Sequence, residues 1–496
     1  MHAFRGLTRT AAIGCTVSLL AGCGGGGGSS PSPHAPAPTP TATPGGNGCS
    51  SISSRGRRPA GRAVGGVVPN QLYVSYRQTA RAAQSIDSTA EATHALDLNP
   101  KAGISHRAVT LQSGADATAI AARLRTNPNV IDVSPVHTRT ALQVNDPAFD
   151  NYDQWYLFKT NATPGAWSFS PDGTGITIAL IDTGVDETNA DLSSKIDYQE
   201  SVLMGVVSNA TASIQDTNGH GTNTAGLAAA ATNNGYGFAS TGYNARLQIY
   251  NIFPPTTATS DCQSAATTDE AQAIQDAVSH GASVISMSLG APPDAGANFD
   301  QAEDDAVEAA IAAGVTVVAA GGNEYANGGG GSPDYPAAYP GVIAVGASNT
   351  DDNGIGLYSA IVSEGAASYS NSGVTLLAPG GDPMPPASDN DYLHWIEGYS
   401  TTTANFAPDQ CTNSVYPAGS GEKVCRALFA GTSQATPQVA GTIALMMAYH
   451  GGGVRSLTPA QVTNLLTTTA DNIGQPTARQ GAGRLNAGNA VAAAHP

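Results

Sequence analysis

Four polar residues of the chain stand where an apolar run ends or where a helix of small residues begins. They are Asp182, His220, Asn323 and Ser433. In nucleophilic hydrolysis a serine hydroxyl attacks a carbonyl carbon and an imidazole takes up its proton. A carboxylate orients the imidazole, and N–H donors hold the oxyanion. The four residue types therefore predict acyl-transfer chemistry, provided that the fold brings them together.

Asp182 and His220 each have a plainer alternative role. Asp182 closes the apolar run Ala-Leu-Ile-Asp, where an unpaired carboxylate would be costly, so we expect it to hold a partner. The alternative is a turn or helix N-cap residue. His220 lies between two glycines, which permit other backbone to approach the imidazole closely. A lone histidine is otherwise a weak signal, so this pair needs the fold for support.

Asn323 and Ser433 are open to two interpretations as well. Asn323 follows two glycines at the end of an apolar run, where its amide either points into a cleft or forms a simple Gly-Asn turn. Ser433 stands at or near a helix N terminus, whose free N–H groups and dipole stabilise negative charge. Thr432 beside it can provide an ordinary N-cap alone.

The elements that must position these residues form a repeating pattern of short apolar runs and helical segments. This alternation predicts an α/β fold with a doubly wound, mostly parallel sheet flanked by helices, and ligands bind beyond the carboxyl ends of such strands. The predicted strands are 176–181, 247–252, 284–287, 315–320, 342–345 and 374–377, and the predicted helices include 222–231, 268–280 and 301–313.

Four sequence blocks resemble the subtilisin-like serine peptidases, the subtilase or peptidase S8 family. They are Asp182-Thr-Gly-Val-Asp, His220-Gly-Thr, Gly-Asn323-Glu and Gly-Thr-Ser433-Gln-Ala-Thr-Pro, in the order along the chain that this family has. The resemblance covers residues 145–496. It implies a serine endopeptidase that acts on polypeptides, with Asp182, His220 and Ser433 as the catalytic residues and Asn323 in the oxyanion hole.

The resemblance also implies where the substrate binds. Ser288, Leu289 and Gly290 match one segment that flanks the P1 residue, which lies on the acyl side of the scissile bond. The matching second segment is Ala320, Gly321 and Gly322. Both present backbone groups to an extended peptide, a form of strand addition. The sequence places no charge at the bottom of this pocket, so we expect a broad preference for apolar or uncharged P1 residues.

A calcium site and a disulfide are further expectations. Asp191 and Asn234 fit the family's tight calcium site, where carbonyl groups complete a shell of oxygen ligands; a plain Asn-Gly turn is the alternative for Asn234. Of the three pairings open to Cys49, Cys262, Cys411 and Cys425, we favour Cys411 with Cys425, which closes a short loop.

The first 66 residues resemble a bacterial lipoprotein leader. Residues 1–23 combine an early positive charge with an apolar run that is too short to span a bilayer, and they end in the lipobox Leu20-Ala-Gly-Cys23. The alternative is an ordinary signal peptide with an incidental cysteine. Residues 24–66 are a linker rich in Gly, Pro and Ser. We therefore expect lipidation at Cys23, which would tether the precursor to a membrane surface.

Residues 67–144 form a small α+β unit, predicted to be ferredoxin-like, before the peptidase domain 145–496. Many subtilases carry a prosegment that assists folding and then inhibits, and this unit resembles one, with self-cleavage expected between about Thr138 and Asn145. Residues 1–145 carry 13 Lys/Arg and 5 Asp/Glu, whereas residues 146–496 carry 8 and 33. These charges favour association of the two parts and disfavour a nucleic-acid partner. The acidic part suits an extracytoplasmic enzyme, which we expect cleavage to release from the anchored precursor.

Several positions depart from the family pattern. Gln434 replaces a common methionine, and Asn223 and Gln438 stand where histidine is common. Segments 196–216 and 381–427 look enlarged, and we expect surface loops there. Two other functions stay open: a binding protein on an inactive scaffold, and a serine-carboxyl peptidase. The filled catalytic positions disfavour the first, and the histidine and asparagine at the key positions disfavour the second.

Overall fold

The computed structural model describes residues 67–77, 79, 81–101, 104–137, 144–149, 154–169, 172–255, 264–293, 299–328, 330–349, 364–382, 395–402, 410–412 and 424–495. The predicted signal segment 1–23 with Cys23, the linker 24–66, and residues 138–143 of the cleavage interval lie outside the described residues. The described residues form two compact units, each of which is presented by itself. Within them, no helix has both the length and the apolar character needed to span a membrane.

The first unit is a four-stranded antiparallel sheet with two helices. Its elements are β1 (Val67–Arg77), α1 (Ala82–Ala90), β2 (His94–Lys101), β3 (Ile104–Thr110), α2 (Ala117–Arg125) and β4 (Val130–His137). The strand order is β2-β3-β1-β4, and one helix follows β1 while the other follows β3. Alternate residues of β1, namely Leu72, Val74 and Tyr76, are buried with Ile86 of α1 and Leu124 of α2. This is the predicted ferredoxin-like arrangement.

The second unit contains an eight-stranded sheet, a small antiparallel sheet and ten α-helices among the described residues. The strands are β5 (Thr177–Asp182), β6 (Ile196–Leu203), β7 (Val206–Ser208), β8 (Arg246–Asn251), β9 (Val284–Met287), β10 (Thr316–Ala320), β11 (Ile343–Ser348), β12 (Leu376–Pro379), β13 (Ile396–Ser400), β14 (Gln410–Thr412) and β15 (Val424–Phe429). The helices are α3 (Trp155–Lys159), α4 (Ala190–Ser193), α5 (Thr211–Ile214), α6 (His220–Ala229), α7 (Thr267–Ser279), α8 (Gln301–Ala312), α9 (Thr432–Gly451), α10 (Pro459–Thr469), α11 (Thr477–Gln480) and α12 (Ala487–Ala493).

The large sheet runs β12-β11-β10-β9-β5-β8-β6-β7, and every neighbouring pair is parallel except β6 with β7. The central strands are apolar along their length because both faces are covered: one core contains α6 and α9, and the other contains α7 and α8. The predicted doubly wound, mostly parallel α/β fold is therefore confirmed. The predicted strand ends differ from the observed ones by at most three residues.

The two segments expected to be surface loops contain regular structure. In 196–216, β6 joins the main sheet beside β8, followed by β7 and α5. In 381–427, described residues belong to a three-stranded antiparallel sheet of order β13-β15-β14, in which Ile396 and Tyr399 are fully buried. The loop expectation was wrong for these residues because their apolar side chains pack against the core, which the polar composition of the segments obscured.

The two cysteines of the predicted disulfide lie in this small sheet. Cys425 of β15 is disulfide-bonded, and the backbone of Cys411 in β14 is its partner in the antiparallel ladder. Residues directly opposite in such a ladder are close enough for a disulfide. Cys49 and Cys262 lie outside the described residues. The pairing of Cys411 with Cys425 therefore stays a prediction.

Two acidic side chains face each other between helices α7 and α8. Glu270 in the first turn of α7 is 5% exposed and Glu303 in the first turn of α8 is 2% exposed. Burial raises the pKa of both carboxyls, and the charge of Glu303 raises the pKa of Glu270 further. Tyr339 donates a hydrogen bond of 2.8 Å to Glu303, so we infer that Glu270 holds the proton of the pair.

This pair predicts a pH-dependent gain in stability for Glu270→Gln. An acid whose pKa is raised by folding holds a proton that the unfolded chain has already lost, so stability falls as pH rises above the ordinary carboxyl range. The amide keeps the donor and removes the titration. The melting temperature of the variant, measured on the Ser433→Ala chain to prevent self-digestion, should match its parent at pH 4 and exceed it by several degrees at pH 8.

The exposed Glu308 of α8 provides the matched control. Glu308→Gln should change the melting temperature little at either pH, because its carboxyl is in water in both states. An equal shift for Glu270→Gln at pH 4 and pH 8 would contradict the buried-proton interpretation.

Candidate active site

Asp182 and His220 meet at the carboxyl end of β5. Asp182 is the last residue of this strand, His220 is the first residue of α6, and both are buried. The Nδ1 atom of His220 lies 2.7 Å from Oδ1 of Asp182. The Thr183 N–H donates to the same oxygen, at 2.7 Å, and the Thr224 hydroxyl donates to Oδ2, at 3.1 Å. The carboxylate thus fixes the ring with Nδ1 protonated, which leaves Nε2 as the acceptor.

Glycines bring this histidine close to the strand end. A Cβ on Gly221 would lie 2.2 Å from the carbonyl oxygen of Gly184, which no real side chain could accommodate. Gly219 has a φ of +102°, and a Cβ there would lie 2.5 Å from the hydroxyl oxygen of Ser400. The Gly-His-Gly pattern therefore permits the close approach that the sequence predicted.

The electrostatics of the site favour the protonated form of His220. Burial, the largest single effect, opposes protonation, but the charge and hydrogen bond of Asp182, with the charge of Asp216, together raise its pKa. Asp216, a residue that the sequence reasoning missed, is fully buried and accepts hydrogen bonds from the N–H groups of Asn218, Gly219 and Thr222. It holds the loop that delivers His220. Its signal was an acidic residue four positions before the histidine.

Ser433 lies at the same edge of the sheet. It is the second residue of α9, and its hydroxyl donates to the Ser288 carbonyl at 3.1 Å, while the Ser288 hydroxyl donates to the Ser433 carbonyl at 2.8 Å. Ser288 follows Met287, which pairs with Ile181 immediately before Asp182. The serine is thus one strand away from the carboxylate. Among the described residues no hydrogen bond joins Ser433 to His220, and in substrate-free enzymes such bonds are often long or misaligned.

Asn323 is oriented by the residue that precedes the serine. Its Oδ1 accepts from the Thr432 N–H at 3.0 Å and from the Thr432 hydroxyl at 3.1 Å. Because a backbone N–H can only donate, the amide oxygen must face Thr432 and Nδ2 must point the other way. A Cβ on Gly431 would lie 3.8 Å from that nitrogen. The amide donor therefore lies beside the entry to α9, where Ser433 stands.

The two predicted substrate segments leave neighbouring strands. Ser288, Leu289 and Gly290 follow β9. Ala320 is the last residue of β10, which pairs with β9 in parallel, and Gly321 and Gly322 follow it. Gly322 has a φ of +100°, and its N–H donates to the Thr432 hydroxyl at 3.2 Å. The structure thus brings both segments to the edge that carries Ser433.

The three departures from the family pattern form hydrogen bonds inside the molecule. Gln434 donates to the side chain of Asn223 at 3.2 Å, and Gln438 donates to the Pro379 carbonyl at 2.7 Å. The first bond joins α9 to α6, the two helices that carry Ser433 and His220. The sequence indicated the replacements at Gln434 and Asn223 separately, but not that these two side chains are hydrogen-bonded to each other.

The predicted metal residues also come together. Asn234 donates to Asp191 at 2.6 Å, and a third residue, Asp146, lies close by and accepts from the N–H groups of Asn233 and Gly235. Burial raises the pKa of Asp146 to about 6, and burial with the charge of Asp146 raises that of Asp191 to about 7. The sequence reasoning missed Asp146. Within the described residues no group of three or more His, Cys, Asp or Glu side chains is placed to hold a metal.

Comparison with known proteins relates this chain to the same family that its four sequence blocks resemble. The profile of the subtilase family matches residues 173–483. Thermitase from Thermoactinomyces vulgaris is 31% identical over 353 residues, 70% of this chain and 98% of thermitase. The extracellular protease of Xanthomonas campestris pv. campestris is 30% identical over 471 residues, 86% of this chain and 70% of that protein. A solved protease structure from Pseudoalteromonas arctica PAMC 21717 has a TM-score of 0.55 and 26% identity, and covers 71% of this chain and 100% of that one.

The chain belongs to the subtilase family, because the family profile matches more than half of its length. Relatives such as thermitase and the subtilisins are serine endopeptidases, and the chain is accordingly a serine-type endopeptidase, a hydrolase that acts on polypeptides. The predicted enzyme class is confirmed.

The Asp182 contact predicts a lower pKa for His220 in Asp182→Asn. The asparagine keeps the shape of the side chain and removes the charge that offsets burial, so the pKa of His220 should fall by at least one unit. Proton NMR titration of the imidazole measures this without any assay of activity. Thr224→Val is the control, because it removes one hydrogen bond to Asp182 and keeps its charge. A His220 pKa that is unchanged in Asp182→Asn would mean that the carboxylate does not govern the ring.

Proposed function

We propose that the enzyme cleaves peptide bonds through an acyl-enzyme on Ser433. The observation that carries the proposal is the buried Asp182–His220 pair, at 2.7 Å, on the sheet edge where Ser433 and the amide of Asn323 also lie. Ser433 is the nucleophile, His220 is the general base and acid, and Asp182 orients the ring.

The steps follow from this geometry. The hydroxyl of Ser433 gives up its hydrogen bond to the Ser288 carbonyl and passes its proton to Nε2 of His220. Oγ of Ser433 then attacks the carbonyl carbon of the scissile peptide bond in the substrate. Nδ2 of Asn323 and the backbone N–H of Ser433 hold the resulting oxyanion, aided by the N-terminal end of the 20-residue α9. The C–N bond breaks as His220 protonates the amine. A water molecule, deprotonated by His220, then hydrolyses the acyl ester and restores the serine.

We also propose that the chain is made as a self-cleaving precursor. Residues 67–144 would act as its intramolecular inhibitor, and cleavage would fall between Thr138 and Asn145. The support is the separate ferredoxin-like unit, with its own core, placed before the peptidase unit, and the opposite charges of the two parts. Lipidation at Cys23 would hold the precursor at a membrane surface, and cleavage would release the catalytic domain. The Xanthomonas relative is described as extracellular, which is consistent with an extracytoplasmic enzyme.

Ser433→Ala should abolish both activity and maturation. Loss of the nucleophile should lower kcat by about 10⁶, the size of effect seen when a subtilase serine is removed. The variant should stay at precursor length by mass spectrometry, whereas the wild-type product should begin between residues 138 and 145. Ser279→Ala, an exposed serine on α7, should behave as wild type.

Cell fractionation of the same Ser433→Ala precursor tests the anchor. The precursor should sediment with membranes, and addition of Cys23→Ala should release it. Maturation of Ser433→Ala at the normal position would show that another enzyme processes the chain, and a wild-type start upstream of residue 67 would remove the prosegment proposal.

We propose that Asp146, Asp191 and Asn234 hold a structural calcium ion. Asp146 and Asp191 are buried carboxylates whose charges repel each other. A cation would take the place of the Asn234 amide group and the Tyr399 hydroxyl that donate to Asp191. The side-chain oxygen of Asn234 and backbone carbonyls would complete the six to eight oxygen ligands that calcium takes. When bound, calcium neutralises the two charges and ties the segment at 145–146 to α4 and the loop after α6.

Chelation should therefore destabilise the wild-type protein. Calcium at 100 times its dissociation constant would add about 2.7 kcal/mol to the free energy of unfolding. The difference in melting temperature between calcium and chelator, measured at pH 8 on the Ser433→Ala chain, should vanish in Asp191→Asn. It should persist in Asp197→Asn, which removes an exposed carboxylate on nearby β6. A wild-type melting temperature indifferent to chelator would count against the site.

A further inference from the structure

A buried carboxylate lies between the two substrate segments. Asp334 is 3% exposed. A Cβ built on Gly322 would lie 2.6 Å from Oδ2 of Asp334, and one built on Gly290 would lie 3.6 Å from the same atom. The carboxylate is thus packed against the last residues of both segments, at the position that the end of a P1 side chain would reach.

The backbone fixes Asp334 against both walls of this space. Its N–H donates to the Gly321 carbonyl at 3.1 Å, and the next residue, Tyr335, exchanges two backbone hydrogen bonds with Ala291 at 2.9 and 3.0 Å. The segment that carries the carboxylate is therefore joined to the segment after β10 and to the segment after β9. It thus borders both proposed substrate segments, and we call the region bounded by 288–290, 320–322 and Asp334 the P1 pocket.

A second carboxylate lies next to the first. Asn371 donates through Nδ2 to Glu324 at 2.9 Å and to Asp334 at 3.1 Å, and its Oδ1 accepts the Glu324 N–H at 2.9 Å. Glu324 directly follows Asn323 and is half-buried, so it is nearer to solvent than Asp334. One amide group thus holds two carboxylates at one pocket. Because neighbouring carboxylates repel each other, a cation bound beside the pair would relieve that repulsion.

We propose that the P1 pocket selects arginine or lysine, in place of the apolar preference expected from the sequence. The proposal rests on the proposed function, since it assigns specificity to the same site. Asp334 would form the ion pair with the P1 side chain, and a guanidinium would suit it best because its planar fork pairs with carboxylates through two hydrogen bonds. The excess of acidic residues in 146–496 would favour the approach of cationic peptides.

The chain itself supplies a matched substrate. Within the expected cleavage interval 138–145, Arg139 is the only lysine or arginine. A synthetic peptide of residues 134–145 therefore offers one preferred bond, after Arg139. The same peptide with Arg139→Leu keeps every other side chain and removes the charge.

The test compares kcat/KM for these two peptides. The wild-type enzyme should cleave after Arg139 about 100-fold faster than it cleaves the leucine peptide, as expected for a buried charge pair. In Asp334→Asn the ratio should approach one, because cleavage of the arginine peptide should fall much more than cleavage of the leucine peptide. Glu324→Gln should lower the ratio less, and Asp305→Asn, an exposed carboxylate on α8, should leave it unchanged.

Inhibition of the unaltered enzyme provides a measurement that does not depend on folding of a variant. Benzamidine, an aromatic cation, should compete with the arginine peptide, and benzyl alcohol, which is uncharged, should compete far less. Equal or faster cleavage of the leucine peptide by the wild type, a ratio retained in a folded Asp334→Asn, or equal inhibition by the two compounds would overturn the proposal.

Hydrolysis of p-nitrophenyl acetate separates this outcome from failure of the proposed function. If the wild type turns over this ester, Ser433→Ala does not, and the arginine peptide is not preferred, only the proposed selectivity of the P1 pocket is refuted. Absence of turnover of the ester and of both peptides would refute the proposed function itself.

Discussion

The hydrogen bond between His220 and Asp182 requires a carboxylate at the end of a buried apolar strand. Every other residue of β5 from 178 onward is buried with it, so Asp182 would be costly there without donors. Asp182 is the last residue of β5, so the loop that follows provides the Thr183 N–H as a donor to its carboxylate. Helix α6 provides the Thr224 hydroxyl as a second donor. Both the tautomer of the histidine and its raised pKa follow from this arrangement. The rest of the site therefore depends on two positions: Asp182 at the end of β5 and His220 at the start of α6.

Close packing of two helices on the sheet is the second condition. Helix α6 carries the histidine, α9 carries the serine, and both must approach the carboxyl ends of β5 and β9. A Cβ on Gly441 of α9 would lie 2.7 Å from the backbone nitrogen of Gly242 and 3.0 Å from the Ala228 carbonyl of α6. Only glycine permits this contact. The bond from Gln434 to Asn223 then links the same helices through polar groups, so small residues set the spacing and an amide pair fixes the alignment.

The sequence could predict features whose signal is local. A run such as Ala-Leu-Ile-Asp predicts a buried strand with a polar end. The pattern Gly-His-Gly predicts that other backbone comes close to the histidine. Asp182 and His220 could therefore be identified from the sequence. Asp146 was not, because its partner Asp191 is 45 positions away and the segment between them shows no pattern that joins them. The bond between Gln434 and Asn223 spans 211 residues. The described residues of 196–216 and 381–427 were misjudged for the same reason: burial of Tyr399 depends on α6 and the loop after it, not on its own neighbours in sequence.

Asp334 shows how a chemical role can be hidden by conformation. It stands in a stretch of Gly, Ser and Pro that is typical of a turn, but the backbone at 334–335 bonds to Gly321 and Ala291 instead. Its significance comes from contacts with Gly290 and Gly322, which belong to two different strand ends. The acidic excess of the second unit is therefore not uniform in its effects. One carboxylate orients an imidazole, two others repel each other across a loop, and Asp334 shares the amide of Asn371 with Glu324 beside the proposed substrate segments. Net charge predicted none of these differences, since each depends on which donor or cation the fold places within reach of the carboxylate.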